Sequence, residues 1–335
     1  MRLKLKDTFA DMLASWRQTN DACHQAFELR QTVDQPMVLI SQVQRSGGSL
    51  MSQLFDDHPE VHAHPHTLNI GYPQQYKWPP IDVGLHAREN FKLLLESQKF
   101  LRNGYNKVLV GEQRLRFYLP SVMHMEVFSR LWAENPPSNE RDILNAYFTS
   151  YFSAWLNYSG WSGHKKYLTA FTPRLLQQPQ DREKFWQTYP TGWHIAIVRR
   201  PDSWLHSAEK ESKLRELSTN AARLKHWRAS VESILEGKKE NPDRVIVVEF
   251  EDFVANTSDT MCRIAEKLGI RNDATLSIPT FNGEPISSNS SFGTAPPGKI
   301  DKTVIDRKDI VEKKYSQQVD DEDFEIYERA RNVAD

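Results

Sequence analysis

Cysteine is nearly missing from this chain: Cys23 and Cys262 are the only two in 335 residues, and they lie far apart. That count excludes a disulfide framework, and no Cys/His spacing suits a structural zinc site. Two reduced, buried thiols are the expectation. No uninterrupted apolar run reaches the ~18 residues that a transmembrane helix needs. The stretch Met1-Arg-Leu-Lys-Leu-Lys-Asp7 is basic but has no continuous apolar core, so it does not read as a signal peptide. An excess of charge of one sign is missing too: the net charge is −1, which gives no global attraction to nucleic acid or to an anionic membrane. Any anion site must therefore be local. Residues 36–76 contain no lysine at all.

What is present fits a globular α/β protein. Hydrophobic residues make up 39% and charged residues 26%, enough apolar material for a large core. Short apolar, partly β-branched runs predict strands at 37–43, 107–112, 166–170, 193–198 and 244–250. Helical stretches are predicted at 48–57, 87–102, 140–157, 203–235 and 257–268. This alternation predicts three α/β/α layers around a mostly parallel sheet. Leu5, Phe9, Met12, Leu13 and Trp16 recur at helical spacing and predict an amphipathic N-terminal helix, packed on the rest of the chain or used in a dimer. The expected organisation is one domain over 1–335: a helical extension at 1–32, a core at 36–305 and a helical tail at 306–335. Residues 60–86 and 279–305 are rich in Pro, Gly, Ser and Asn and are expected to be loops.

The most informative segment is Met37-Val-Leu-Ile-Ser-Gln-Val-Gln-Arg45-Ser46-Gly47-Gly48-Ser49-Leu50. It reads as a strand, a tight turn with two glycines and a helix start. Such a turn points backbone N–H groups inward, and the helix N-terminus adds partial positive charge, so it suits a phosphate. The nucleoside-triphosphate loop G-x-x-x-x-G-K-[ST] has another spacing and a lysine before its hydroxyl residue. Here a cation, Arg45, precedes the glycines instead. Arg45 and Arg199 both follow the carboxyl ends of predicted strands, where open α/β sheets bind ligands.

Gln44-Arg45-Ser46-Gly47-Gly48-Ser49-Leu50, followed by His58-Pro59-Glu60-Val61, resembles the 5′-phosphosulfate loop of sulfotransferases. Ile197-Val-Arg199-Arg-Pro201, with Ser207 eight residues after Arg199, is similar to the family's 3′-phosphate motif. Glu249-Phe-Glu251-Asp252, the helix ending Glu266-Lys-Leu-Gly269, and Ser288-Asn-Ser-Ser291-Phe292 match further family stretches in the right order. Three positions depart from the pattern. Gly48 stands for a Thr or Ser, Phe171 for a Lys, and Arg200 for the Asp of R-D-P.

The resemblance implies a sulfuryl donor, 3′-phosphoadenosine 5′-phosphosulfate (PAPS), and an acceptor hydroxyl or amine on a small molecule or carbohydrate. With no apolar span or signal peptide in the sequence, the cytoplasm, where PAPS is made, is the expected location, and no Cys or carboxylate pattern points to a metal. Arg45, Ser46, Gly47, Gly48, Ser49 and Leu50 would hold the 5′ end of the donor. Arg199 and Ser207 would hold the 3′-phosphate, with Lys299 as a further phosphate contact. Arg45 would also stabilise charge as the S–O bond breaks. The general base would come from His62-Ala-His64-Pro-His66: the family's catalytic Glu position falls at His66 or its neighbour Pro65, and His64 is the near alternative. An unperturbed histidine suits that work at neutral pH. Glu112 is another possible base. Surface loop histidines, or a metal pair, are the competing interpretations of the same residues. Two other functions compete: a P-loop-like small-molecule kinase, and a nucleotide-binding member of the fold without catalysis. Acceptor and oligomeric state stay open.

Overall fold

The computed structural model describes residues 2–68, 77–96, 117–210, 214, 217–287, 295–306, 308–315 and 317–335. In chain order, these hold helix α1 (Arg2–Glu28), β1 (Met37–Ile40), α2 (Gly48–Phe55), β2 (Val61–Thr67), α3 (Ala87–Glu96), α4 (Ser121–Glu134) and α5 (Glu140–Ala154). Then follow β3 (Tyr167–Phe171), α6 (Pro179–Thr188), β4 (Trp193–Val198), α7 (Pro201–Ala208) and α8 (Asn220–Glu240). The last part holds β5 (Val245–Glu249), α9 (Phe250–Ala255), α10 (Thr257–Leu268), a short β6–β7 hairpin (280–285), α11 (Lys308–Tyr315) and α12 (Asp321–Arg331).

These elements divide into two compact units. One is all-helical and contains α1, α3, α4 and α5. Its core is aromatic: Phe91, Phe128, Tyr147 and Tyr151 are almost fully buried. The buried His124 ring meets Phe91 and Tyr147 edge-on or tilted, each at 4.8 Å between centroids. Cys23 of α1 is buried, while Met12 and Trp16 are 65% and 66% exposed. The predicted apolar stripe of this helix is thus not buried at those two positions.

The other unit contains the sheet, five parallel strands in the order β2-β3-β1-β4-β5. Alternation along the strands feeds two cores. Val38, Ile40, Ile195, Ile197, Ile246 and Val248 pack with Leu50, Met51 and Leu54 of α2 and with Met261 and Ile264 of α10. Ala196, Val198, Val245 and Val247 pack on the opposite face with Trp204 of α7, Trp227 and Val231 of α8 and Tyr327 of α12. Side chains alternate across a strand, so this is the three-layer α/β/α arrangement with helices on both faces. Chain order reverses between β1 and β4: strands β2 and β3 lie to one side of β1, and β4 and β5 to the other. A crevice at such a switch point is where open α/β sheets bind ligands.

Several local expectations change. Strand β2 replaces the front of the expected loop at 60–86: Val61 and Ala63 point into the α2-side core, and His62 and His64 are buried too. Among the described residues, the expected helix at 203–235 divides into α7 and α8: Thr219 accepts a hydrogen bond from the Ala222 amide and starts α8. Strand β1 ends at Ile40, earlier than expected. The strand expected at 107–112 and the end of the 87–102 helix lie outside the described residues.

Candidate active site

The phosphate-type turn sits where β1 meets α2. Gly47 has φ 91°, a conformation glycine adopts at no steric cost, and it precedes the first helical residue. The N-cap residue, Gly47, has no side chain with which to cap α2. The first amides of a helix have no intrahelical partner, so those of α2 stay available to an anion. Arg45 also has a left-handed backbone, φ 72°, which is uncommon outside glycine. Its carbonyl is pinned: Arg199 Nη1 donates to Arg45 O at 2.9 Å. Next to it, Trp204 Nε1 donates to Gln44 O at 2.8 Å. The turn is therefore held from the neighbouring strand end and from the first turn of α7.

Arg199 follows β4 directly and is only 4% exposed. Its Nε donates to Ser203 Oγ at 2.9 Å, its guanidinium lies 4.3 Å from the centre of the Phe250 ring, and its own carbonyl accepts from Trp227 Nε1 at 3.1 Å. No carboxylate lies within ion-pair distance of it among the described residues. Burial pushes its pKa down to about 10, with the Arg45 charge adding to the drop and Glu251 opposing it. Arg45 Nε donates to Ser207 Oγ at 3.1 Å. Ser46 is fully buried, and its hydroxyl has no hydrogen-bond partner among the described residues.

The second arginine of the motif behaves differently. Arg200 Nε bonds Asp202 Oδ1 at 2.9 Å, its Nη2 reaches Asp202 Oδ2 and Glu312 Oε1, and its amide donates to the Glu251 carboxylate at 3.3 Å. These partners raise its pKa further, and its charge is spent within the fold.

The structure thus brings together Arg45, Ser46, Gly47, Gly48, Ser49, Leu50, Arg199 and Ser207 at the carboxyl ends of β1 and β4. Lys299 is not part of that cluster among the described contacts. It is exposed and lines a separate cavity with Asn256, Ser258 and Ser277 at the start of α10. The histidines lie on β2, which β3 separates from β1. His62 and His64 are buried rather than displayed on a loop. Burial, with Lys165 nearby, pushes the His62 pKa down to about 3, and its ring packs edge-on against Trp161. The register of β2 against β3 shifts between Ala63 and Thr67, which interrupts the simple alternation at His64 and His66. The side chain of His66, and Glu112, Ser291 and Phe292, lie outside the described set.

Four contributors escaped the sequence reading: Ser203, Phe250, Trp227 and the Phe171–Gly48 contact. Ser203 stands four residues after Arg199, the spacing of one helical turn, and Phe250 is the first residue past β5. Those positions were the available signals. The two tryptophans act through indole N–H groups that find main-chain partners only in three dimensions.

A model of the sulfotransferase family matches residues 36–274, and the chain belongs to that family. Its reaction class is transfer of a sulfuryl group. No curated protein matches the chain in sequence. Among solved structures, the sulfotransferase domain from the curacin biosynthetic pathway superposes with TM-score 0.53 at 14% identity, covering 90% of this chain and 99% of that one. The sulfotransferase domain from the Synechococcus PCC 7002 olefin synthase gives 0.52 at 18% identity, covering 87% and 99%. At these identities the likeness shows the fold. Among the described residues, no helix is long and apolar enough to cross a membrane, and no cluster of metal-binding side chains occurs.

Proposed function

We propose that this enzyme takes its sulfuryl group from PAPS and passes it to a hydroxyl, or an amine, of a small molecule or carbohydrate. The observation that carries this is Arg199: a buried cation with no carboxylate at ion-pair distance among the described residues, tied by hydrogen bond to the glycine turn. A buried charge is costly, Glu251 offsets only part of that cost, and an anionic ligand would offset more of it. Arg199 and the turn together suit a ligand with anionic groups at two ends, as PAPS has at its 5′ and 3′ positions.

In this account the α2 amides and Ser49 bind the 5′ end, and Arg199 with Ser207 binds the 3′-phosphate as a directional fork. The bond that breaks joins sulfur to the 5′-phosphate oxygen, and the bond that forms joins sulfur to the acceptor oxygen or nitrogen. The acceptor proton goes to a base, for which His66 and His64 are the proposed groups. Adenosine 3′,5′-bisphosphate leaves with the bridging electrons. Arg45 stabilises the negative charge that grows on the bridging oxygen, a charge present only as the bond breaks.

A kinase needs a lysine at the loop and an acidic residue for Mg²⁺. Residues 36–76 have no lysine, and β4 is followed by Arg199-Arg200 rather than an acidic residue. Calorimetry with adenosine 3′,5′-bisphosphate, AMP and ATP–Mg²⁺ tests the proposal. Binding of the bisphosphate well above the other two is expected. A preference for ATP–Mg²⁺ supports the kinase instead. Bisphosphate binding without turnover across a broad acceptor panel supports a non-catalytic role.

A further inference from the structure

Gly48 is the first residue of α2, and its backbone is not in the left-handed region, so no conformational need explains the glycine. Its neighbours do. A Cβ at residue 48 falls inside the van der Waals envelope of Gln42 Nε2 and Phe171 Cε2, and 2.8 Å from Phe171 Cζ. At Gly47, a Cβ falls 2.8 and 2.9 Å from Cδ2 and Cε2 of Phe250. Real Cβ atoms do not approach other heavy atoms that closely. Two phenylalanines, one ending β3 and one just past β5, therefore close on two consecutive glycines of the turn. Both rings are 7% exposed. Phe250 also supports the Arg199 guanidinium, so one ring touches the turn and carries the buried cation.

We infer that Phe171 and Phe250 are positioning residues that clamp the turn at 45–48 and fix the α2 amides in the shape that receives the donor's 5′ end. This rests on the donor site proposed above. Phe171 acts by filling the volume that a side chain at residue 48 would take. Phe250 acts by closing on Gly47 and holding Arg199 in line with the turn. Two departures from the family pattern, at 48 and at 171, then become one arrangement: the ring at 171 requires the glycine at 48. Gln42 sits at the same spot, but its amide ends a flexible side chain and can swing aside once the ring is gone.

The test is a double-mutant cycle on the full chain, using Gly48→Ala, Phe171→Ala and the double variant. Adenosine 3′,5′-bisphosphate affinity and melting temperature are measured for all four proteins. Gly48→Ala alone overpacks the turn and is expected to weaken binding by about tenfold or more and to lower the melting temperature by roughly 3–10 °C. The double variant is expected to bind more tightly and melt higher than Gly48→Ala alone, because the removed ring leaves room for the new methyl group. Phe171→Leu, which keeps most of the volume, is expected to retain most of the affinity, whereas Phe171→Ala loses it. If Gly48→Ala does not fold, folding of the double variant is the expected result, and failure of both contradicts the clamp. Effects of the two substitutions that simply multiply, in affinity and in melting temperature, also overturn it. If the wild-type protein binds no bisphosphate, the donor site and the clamp's role in it fall together. The melting-temperature cycle then still decides whether ring and glycine compete for space.

Discussion

Arg45 Nε donates to Ser207 Oγ at 3.1 Å, and this bond joins the turn after β1 to the helix after β4. The two residues are proposed to serve opposite ends of one donor, yet they already touch. The two anion subsites therefore form one hydrogen-bonded unit, closed further by the bond from Arg199 to the Arg45 carbonyl.

That contact makes the two side chains energetically coupled. Arg45→Ala and Ser207→Ala, measured singly and together for bisphosphate affinity, are expected to be non-additive, with a coupling of about 0.5–3 kcal/mol. Strict additivity would mean that the bond is absent when ligand is bound.

Arg45 is expected to matter more for rate than for affinity. Arg45→Ala should lower donor turnover, followed as bisphosphate release, by about 10²–10³-fold, with a much smaller change in bisphosphate binding. An equal loss in both would assign Arg45 to ground-state binding alone.

Arg200 gives the contrasting case. Its guanidinium is held by Asp202, which is 2% exposed, and by Glu312. Arg200→Ala leaves a buried carboxylate without its partner. It is expected to lower the melting temperature by roughly 5–10 °C while leaving bisphosphate affinity nearly unchanged. A large loss of affinity with unchanged stability would return Arg200 to the phosphate site.

Acid should destabilise the fold through its buried histidines. Burial holds His62 and His124 near pKa 3 and His194 near 4. Unfolded histidine titrates near about 6.5. As pH falls below that value, the unfolded chain takes up protons that the folded chain refuses, so stability declines with falling pH. His124→Phe is expected to reduce the slope between about pH 6 and pH 4 by about 1.4 kcal/mol per pH unit, the share of one proton. Urea unfolding at a series of pH values measures it, and an unchanged slope would contradict the neutral, buried state of His124.

The sheet core was legible because β1, β3, β4 and β5 are short apolar runs between helices. Strand β2 was not, since Val61-His-Ala-His-Pro-His-Thr67 is mostly polar and carries a proline at a register shift. At the turn, Arg45 and the glycines could be read in order, because strand, turn and helix follow one another in sequence. The reason for Gly48 could not: it lies in a ring contributed from residue 171, brought close only by pairing of β1 with β3. Likewise the two arginines of Arg199-Arg200 look equivalent in sequence. Their environments separate them: among the described residues one is buried with no carboxylate at ion-pair distance, and the other is paired with two.

The most direct test of the donor site is the ratio of affinities for adenosine 3′,5′-bisphosphate and AMP, measured by calorimetry on wild type and Arg199→Ala. The account predicts a strong wild-type preference for the bisphosphate, set by the 3′-phosphate on Arg199, that largely collapses in the variant while AMP binding changes little. Charge-assisted hydrogen bonds of about 1.5–3 kcal/mol each make a loss of about 10- to 100-fold in that ratio the expected size. A ratio that is the same in both proteins would contradict the assignment of Arg199 to the 3′-phosphate, and with it the account of the site.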